Sequence, residues 1–196
     1  MSDEPRGVTS NGIRKIILEQ SNRAHVGHIG SALSVADILA ALYGGVIKTG
    51  KGKKAERDRF VLSKGHAALA LYAALCLKGE LSSKELDTFC GEGSKLGVHP
   101  ENCLDGVDFS TGSLGHGLSM AAGAALAARL QKSQRRTFVL LSDGECNEGW
   151  VWEAAMFAAH HRLSSLTAIV DLNGQQAFGY TEDVVSMTPK IGRAHV

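Results

Sequence analysis

Apolar residues recur at near-helical spacing across residues 12–23, where Ile13, Ile16 and Ile17, and then Ala24, fall on one side. That pattern predicts an amphipathic helix. A polar loop, HVGHIGS, follows it. Ser34, with Asp37 three residues on, reads as a capping box with Asp in place of Glu, opening a helix over ILAALY that Gly44 and Gly45 end. Phe60–Leu62 is a short apolar run of the kind buried in a parallel sheet. Residues 65–77 are apolar all round and predict a buried helix, and Ser82-Ser83, with Glu85 in the first turn, predicts another. Residues 91–115 are glycine-rich and aperiodic, and a loop that long inside a compact domain is often functional. Helix returns over 118–130. The β-branched and apolar run TFVLL (137–141) predicts a strand, a turn leads into a helix over 149–161, and LTAIVDL (166–172) predicts a second buried strand. Strand, crossover helix and strand make a βαβ unit with parallel strands, so the class is α/β.

Composition narrows the picture. The 196 residues are 44% apolar with only 3 prolines, enough for one sizeable α/β domain and against disorder over most of the length. With 21 basic and 20 acidic residues, nothing points to nucleic acid or a membrane surface as partner. The one basic run, Lys48–Lys54, is interleaved with glycine and reads as a solvated loop. Cys76, Cys90, Cys103 and Cys146 form no CxxC pair or zinc spacing. Without a signal-peptide pattern at the start, they suggest reduced thiols and a cytoplasmic location. No apolar run reaches the roughly 20 residues that a membrane helix needs.

Candidate chemistry gathers where the strands end. Ligands of open α/β sheets sit beyond the carboxyl ends of the strands. Asp143 lies just past TFVLL and Asn173 just past LTAIVDL. If the two strands are neighbours, the Asp143 carboxylate, the Asn173 amide oxygen and a main-chain carbonyl are hard oxygen donors suited to Mg²⁺ or Ca²⁺, with a diphosphate completing the shell. Gly144 would let the backbone approach phosphate closely. The competing reading is that Asp143 caps a helix and Asn173 fills a turn. Residue chemistry leaves both open. His28, His66 and His99 lie in three separate glycine-bearing loops; each alone reads as a polar loop or core residue. Glu148 and Glu153 read as first-turn helix glutamates, His160 and His161 as partners of that helix's C-terminal dipole, and Trp150 and Trp152 as packing or interface anchors.

SDGECNEG…DLNG resembles the thiamine-diphosphate motif, which opens with Gly-Asp-Gly and ends on an Asn about thirty residues later. GHIGSALSVADILAALY, RDRFVLSKGHAALALYAAL, GVHPE and STGSLGHGLSMAAGAALA resemble, in order, segments of the amino-terminal domain of transketolase. GHIG, SKGH and GSLGHG are closer to the split form, in which two polypeptides share one enzyme. The resemblance implies a doubly wound, mainly parallel sheet with helices on both faces. It implies Asp143, Asn173 and the Gln175 carbonyl as Mg²⁺ ligands and Gly144 against the diphosphate. His28 and His99 match histidines that act on substrate, and His66 one that contacts the cofactor. Gly112 and Leu114 match residues flanking the cofactor, with the variable His116 in the same loop. Glu148 and Glu153 match acidic residues buried where two active sites face each other.

Ser142 departs from the family's first motif glycine, Ile29 replaces a frequent proline, and DLNGQQAFG is less typical around its Asn. The resemblance further implies that residues 1–190 are part of a longer diphosphate-binding domain. The cofactor's pyrimidine would be bound by a second subunit, in a hetero- or homo-oligomer. Ile191–Val196, IGRAHV, reads as translated sequencing adapter. The expected activity is transfer of a two-carbon ketol unit from a ketose phosphate to an aldose phosphate. The alternatives are a truncated cofactor-binding fragment inactive alone, or a relative of deoxyxylulose-phosphate synthase.

Overall fold

The structure, a computed structural model, describes residues 7–50 and 56–186. The adapter-like tail and Lys51–Lys54 of the basic run lie outside the described residues. The chain forms two compact units, each discontinuous in sequence: the described parts of Met1–Arg57 with Gly65–Gly112, and those of Asp58–Lys64 with Ser113–Val196.

The first unit is helical. α1 (Ser10–Ala24) starts at Thr9, whose hydroxyl accepts from the Gly12 N–H at 3.1 Å, and it buries Ile13 and Ile17 as the spacing predicts. α2 (Ile29–Ser34) and α3 (Ala36–Ala41) follow. Ser34 does not cap α3: it closes α2, and Val35 holds the cap position without a side-chain bond. Asp37 turns outward to a salt bridge with Arg14 of α1. Nor do Gly44 and Gly45 stop the chain's helical path. They lie within a π-helical turn, Leu42–Val46, that continues from α3, and Ile47 ends it. α4 (Ala68–Leu77), entered through a 3₁₀ turn at Gly65–Ala67, is buried from Ala68 to Leu75, which is why its apolar residues show no face. α5 (Ser83–Leu86) opens with the capping box expected there: Ser82 Oγ accepts from the Glu85 N–H, and Glu85 accepts from the Ser82 N–H. Residues 91–112 carry no helix or strand.

The second unit holds the sheet. β1 (Arg59–Leu62), β2 (Thr137–Ser142) and β3 (Leu166–Asp171) pair in that order, all parallel. β2 is central and buried at every position, matching its unbroken apolar run. α6 (His116–Leu130) lies against all three strands, and α7 (Gly149–His160) packs on α6. The seam between them is built from Ala122, Ala125 and Ala158, small residues that allow close approach, together with Leu163. Gly117 of α6 abuts β1's end so tightly that an added Cβ would meet Ser63 Oγ and stand 2.7 Å from Ser63 Cα. β3 departs from expectation: only Asp171 is buried, because β2 pairs one edge and the strand's other positions are open or half-open. A short antiparallel pair, β4 (Gln175–Gln176) with β5 (Gly179–Tyr180), and a one-turn helix, α8 (Thr181–Val184), follow.

Candidate functional site

The candidate residues divide between the two units. In the first, His28 stands at the cap position of α2 with φ 63°, a left-handed backbone that a non-glycine residue adopts at a cost. Its ring lies 5.6 Å, centroid to centroid, from that of His66 in the 3₁₀ turn before α4. The two rings share a small pocket floored by Ser21 and walled by Leu69, Phe89 and Val98. His99 is held from behind: Tyr72 in α4 donates from its hydroxyl to the His99 carbonyl at 3.0 Å. Gly112 lies against the His99 ring, where a Cβ would come within 3.3 Å of Cδ2. Two of the three predicted histidines therefore touch, and the third is seated with Gly112.

In the second unit, the strand-end prediction meets its condition. β2 and β3 are neighbours, with Ser142 opposite Asp171, so the residues after each strand emerge side by side. The Asp143 N–H donates to the Asp171 carbonyl at 3.2 Å. Asp143 is buried, and both carboxylate oxygens are used. Oδ1 accepts from the Gly144 N–H at 2.8 Å; Oδ2 accepts from the Gly174 N–H at 2.9 Å and from Thr181 Oγ1 at 2.8 Å. The carboxylate thus ties the turn after β2 to the loop after β3. Asn173 and Gln175 are exposed; the Asn173 side-chain oxygen accepts from the Gln175 N–H at 2.9 Å, and its amide donates to Asp171 at 3.3 Å. The capping reading is met, with Asp143 capping the 3₁₀ turn Gly144–Asn147, and the same carboxylate reaches the Gly174 N–H in Asn173's loop.

Glu145, Lys64 and its partner Asp171 are buried charged groups that lie outside what the sequence pattern predicts. Glu145 is fully buried, and its carboxylate accepts from Ser63 Oγ, from the Gly115 N–H at 2.8 Å and from the Ser142 N–H at 3.2 Å. Burial pushes its pKa up, against these hydrogen bonds and the Lys64 charge. Lys64, after β1, donates to Asp171 at 2.6 Å, an ion pair with both side chains buried that spans the C-terminal ends of β1 and β3. A sequence signal does exist for Glu145. Ser142-x-x-Glu145 has capping-box spacing, and the reciprocal bond, Glu145 N–H to Ser142 Oγ at 3.2 Å, is present. For Lys64 nothing in the sequence distinguishes a buried ammonium from a surface one.

Leu114 is partly exposed just before Gly115, where a φ of 85° and the 2.8 Å that would separate an added Cβ from Glu148 Cβ both require glycine. His116 opens α6 with its ring edge-on to Trp150 at 4.9 Å. Glu148 and Glu153 are exposed, and neither is in the first turn of α7: Glu148 is its cap residue, without a side-chain cap bond, and Glu153 comes one turn later. Trp150 and Trp152 are largely open, Trp152 donating to the Cys146 carbonyl at 2.9 Å. His160 ends α7 and His161 caps it, as expected.

The donor chemistry fits a hard cation shared with phosphate. Among the described residues no three His, Cys, Asp or Glu side chains gather as a metal centre. The strand-end loops instead offer one carboxylate with amide and main-chain oxygens, a set that leaves positions for phosphate oxygens. Gly144 carries no side chain in this turn, and a Cβ there would meet Gln176 Cβ at 2.9 Å. Among the described residues no helix is long and apolar enough to cross a membrane.

Parallel strands whose C-terminal loops hold such a set define an α/β protein of the ligand-binding kind. The family profile described as "Transketolase, thiamine diphosphate binding domain" matches residues 6–190. The 6-deoxy-6-sulfo-D-fructose transketolase subunit SqwG of Clostridium sp. (strain MSTE9) is 44% identical over 186 residues, covering 92% of this chain and 66% of that protein. An apulose-4-phosphate transketolase subunit of Phocaeicola vulgatus is 42% identical over 189 residues, 95% of this chain and 67% of that one. The crystal structure of transketolase from Campylobacter jejuni superposes with a TM-score of 0.87 at 31% identity, covering 97% of this chain and 32% of that one. The chain belongs to the transketolase family, in its thiamine-diphosphate-binding domain. It spans about two thirds of the length of these two curated relatives.

Proposed function

We propose that the chain is the diphosphate-binding part of a split transketolase and works with a second subunit that binds the cofactor's pyrimidine. The observation that carries this reading is the Asp143 carboxylate joining the turn after β2 to the Gly174 loop after β3. Asp143, the Asn173 side-chain oxygen and the Gln175 carbonyl would hold Mg²⁺, or Ca²⁺ in its place. Gly144 would lie against the diphosphate, and the match to the family's motifs assigns cofactor-binding roles to His66, Gly112, Leu114, Glu148 and Glu153.

When bound, thiamine diphosphate would supply a nucleophilic carbon for the ketose carbonyl and a cationic ring able to hold the electrons of the breaking carbon–carbon bond. The chain's residues do the rest. His28 and His99, whose imidazoles can both donate and accept a proton, exchange protons with the sugar hydroxyls at the bond that breaks. Glu148 and Glu153 face the partner. The products are a shortened aldose and a ketose two carbons longer than the acceptor. SqwG and its Phocaeicola vulgatus counterpart are named for a sulfonated ketose and for apulose 4-phosphate, so the donor class proposed here is a ketose with an anionic terminal group.

The test combines the chain with the pyrimidine-binding subunit, Mg²⁺ and thiamine diphosphate, and follows ketol transfer from a ketose phosphate. No transfer with both proteins folded would remove the enzymatic reading. Asp143→Ala should weaken Mg²⁺-dependent cofactor binding by about 10-fold or more; full retained affinity would remove the metal assignment.

A further inference from the structure

We propose that Glu145 is a positioning residue for the cofactor site, fixing the Leu114 turn to the strand end that carries Asp143 and Gly144. This rests on the reading of that site given above. Glu145 touches no open surface, and its carboxylate is filled by donors from three separate segments. One oxygen accepts from Ser63 Oγ, beyond β1, and from the Gly115 N–H, at the start of α6. The other accepts from the Ser142 N–H, at the end of β2.

A helix start needs only the reciprocal Ser142–Glu145 pair. The bonds to Ser63 and Gly115 span 82 and 30 residues and do nothing for the local turn. They determine where the loop ahead of α6 lies relative to the end of β2. The same turn is gripped from its other side, because Gly115 packs against Glu148 Cβ. Leu114 is the preceding residue, so its main chain and side chain inherit the position that Glu145 sets. With every donor supplied by the protein and no exposure, Glu145 acts through Leu114 and the Asp143 turn, not by contact with cofactor or substrate.

Glu145→Gln is the informative variant. The amide keeps one accepting oxygen but turns an N–H₂ toward a main-chain N–H, at Ser142 or at Gly115. In the complex with the second subunit, equilibrium titration with thiamine diphosphate at fixed Mg²⁺ should show affinity about 10-fold weaker. The KM for cofactor should rise while kcat at saturating cofactor is retained. A purely structural role would lower Tm and leave the affinity, measured well below Tm, unchanged; that result overturns the proposal. If Glu145→Gln does not fold, Ser63→Ala decides, since it removes one donor and leaves the carboxylate in place. It should weaken binding in the same direction, and wild-type affinity there also overturns the proposal. Asp143→Ala is the control. If it weakens binding while Glu145→Gln and Ser63→Ala do not, only this inference fails; if it too binds normally, the underlying site is wrong.

Discussion

Cys146 sits in the turn that carries Asp143, its Sγ 3.4 Å from the Ser142 carbonyl. Burial, with the nearby Glu145 and Asp143 charges, pushes its pKa from 9.0 up to about 11. Well below pH 9 the thiol is neutral in folded and unfolded chains alike, so it adds no pH dependence there. Between pH 9 and about 11 the unfolded chain loses this proton while the folded chain keeps it, so stability falls as pH rises through that window. Urea denaturation of wild type and Cys146→Ala in metal-free buffer should diverge there, wild type losing more; parallel curves would contradict the shift. Exposed Cys103 should be alkylated well before Cys146 at pH 8. At this scale the placement of Asp143, Gly144 and Asn173 beyond the strands was legible because a strand's apolar run ends visibly and the next polar residues must lie at its carboxyl end. Glu145 and Lys64 were not legible as buried groups. Their burial depends on Ser63, Gly115 and Asp171, partners that no local pattern reveals.

The strands carry the next prediction. Lys64 and Asp171 bridge the ends of β1 and β3 across β2, with 1% and 8% of their side chains exposed. Removing one partner leaves an unpaired buried charge, which costs about 3–5 kcal/mol. Lys64→Met and Asp171→Leu should each lower the denaturant midpoint strongly, and the double variant should recover most of the loss. Additive losses would mean that the pair is not coupled. Element type was readable from apolar patterning: helical spacing for α1, an all-round apolar run for α4, and short apolar or β-branched runs for the three strands. Element edges in the first unit were not. Ser34 and Asp37 had capping spacing, but α2 runs through Ser34, and Asp37 has Arg14 to pair with. Gly44-Gly45 looked like a stop, yet a π-helical turn absorbs them. The low burial of β3 was hidden because composition reports what a strand could bury, not which of its faces is covered.

For the molecule as a whole, the prediction concerns division of labour. The chain incubated alone with thiamine diphosphate, Mg²⁺ and a ketose phosphate should turn nothing over, and ketol transfer should appear on adding the pyrimidine-binding subunit. Robust turnover by the chain alone, at a purity that excludes other transketolases, would end the two-chain reading. The outward side of α7, with Trp150, Trp152, Met156 and Phe157 open, gives the second unit an apolar face. Sedimentation should therefore show a mass that rises with concentration.

β1 has a consequence for how the chain is made. It belongs to the second unit, yet residues 63–136 separate it from β2, the strand it pairs with, and much of that interval builds the first unit. A ribosome adding about 5–20 residues per second delivers β1 on the order of ten seconds before β2 exists. For that time an apolar strand has no edge to join. The parallel sheet can close only after β2 and β3 have emerged, which makes this interval the one in which a chaperone has the most to protect.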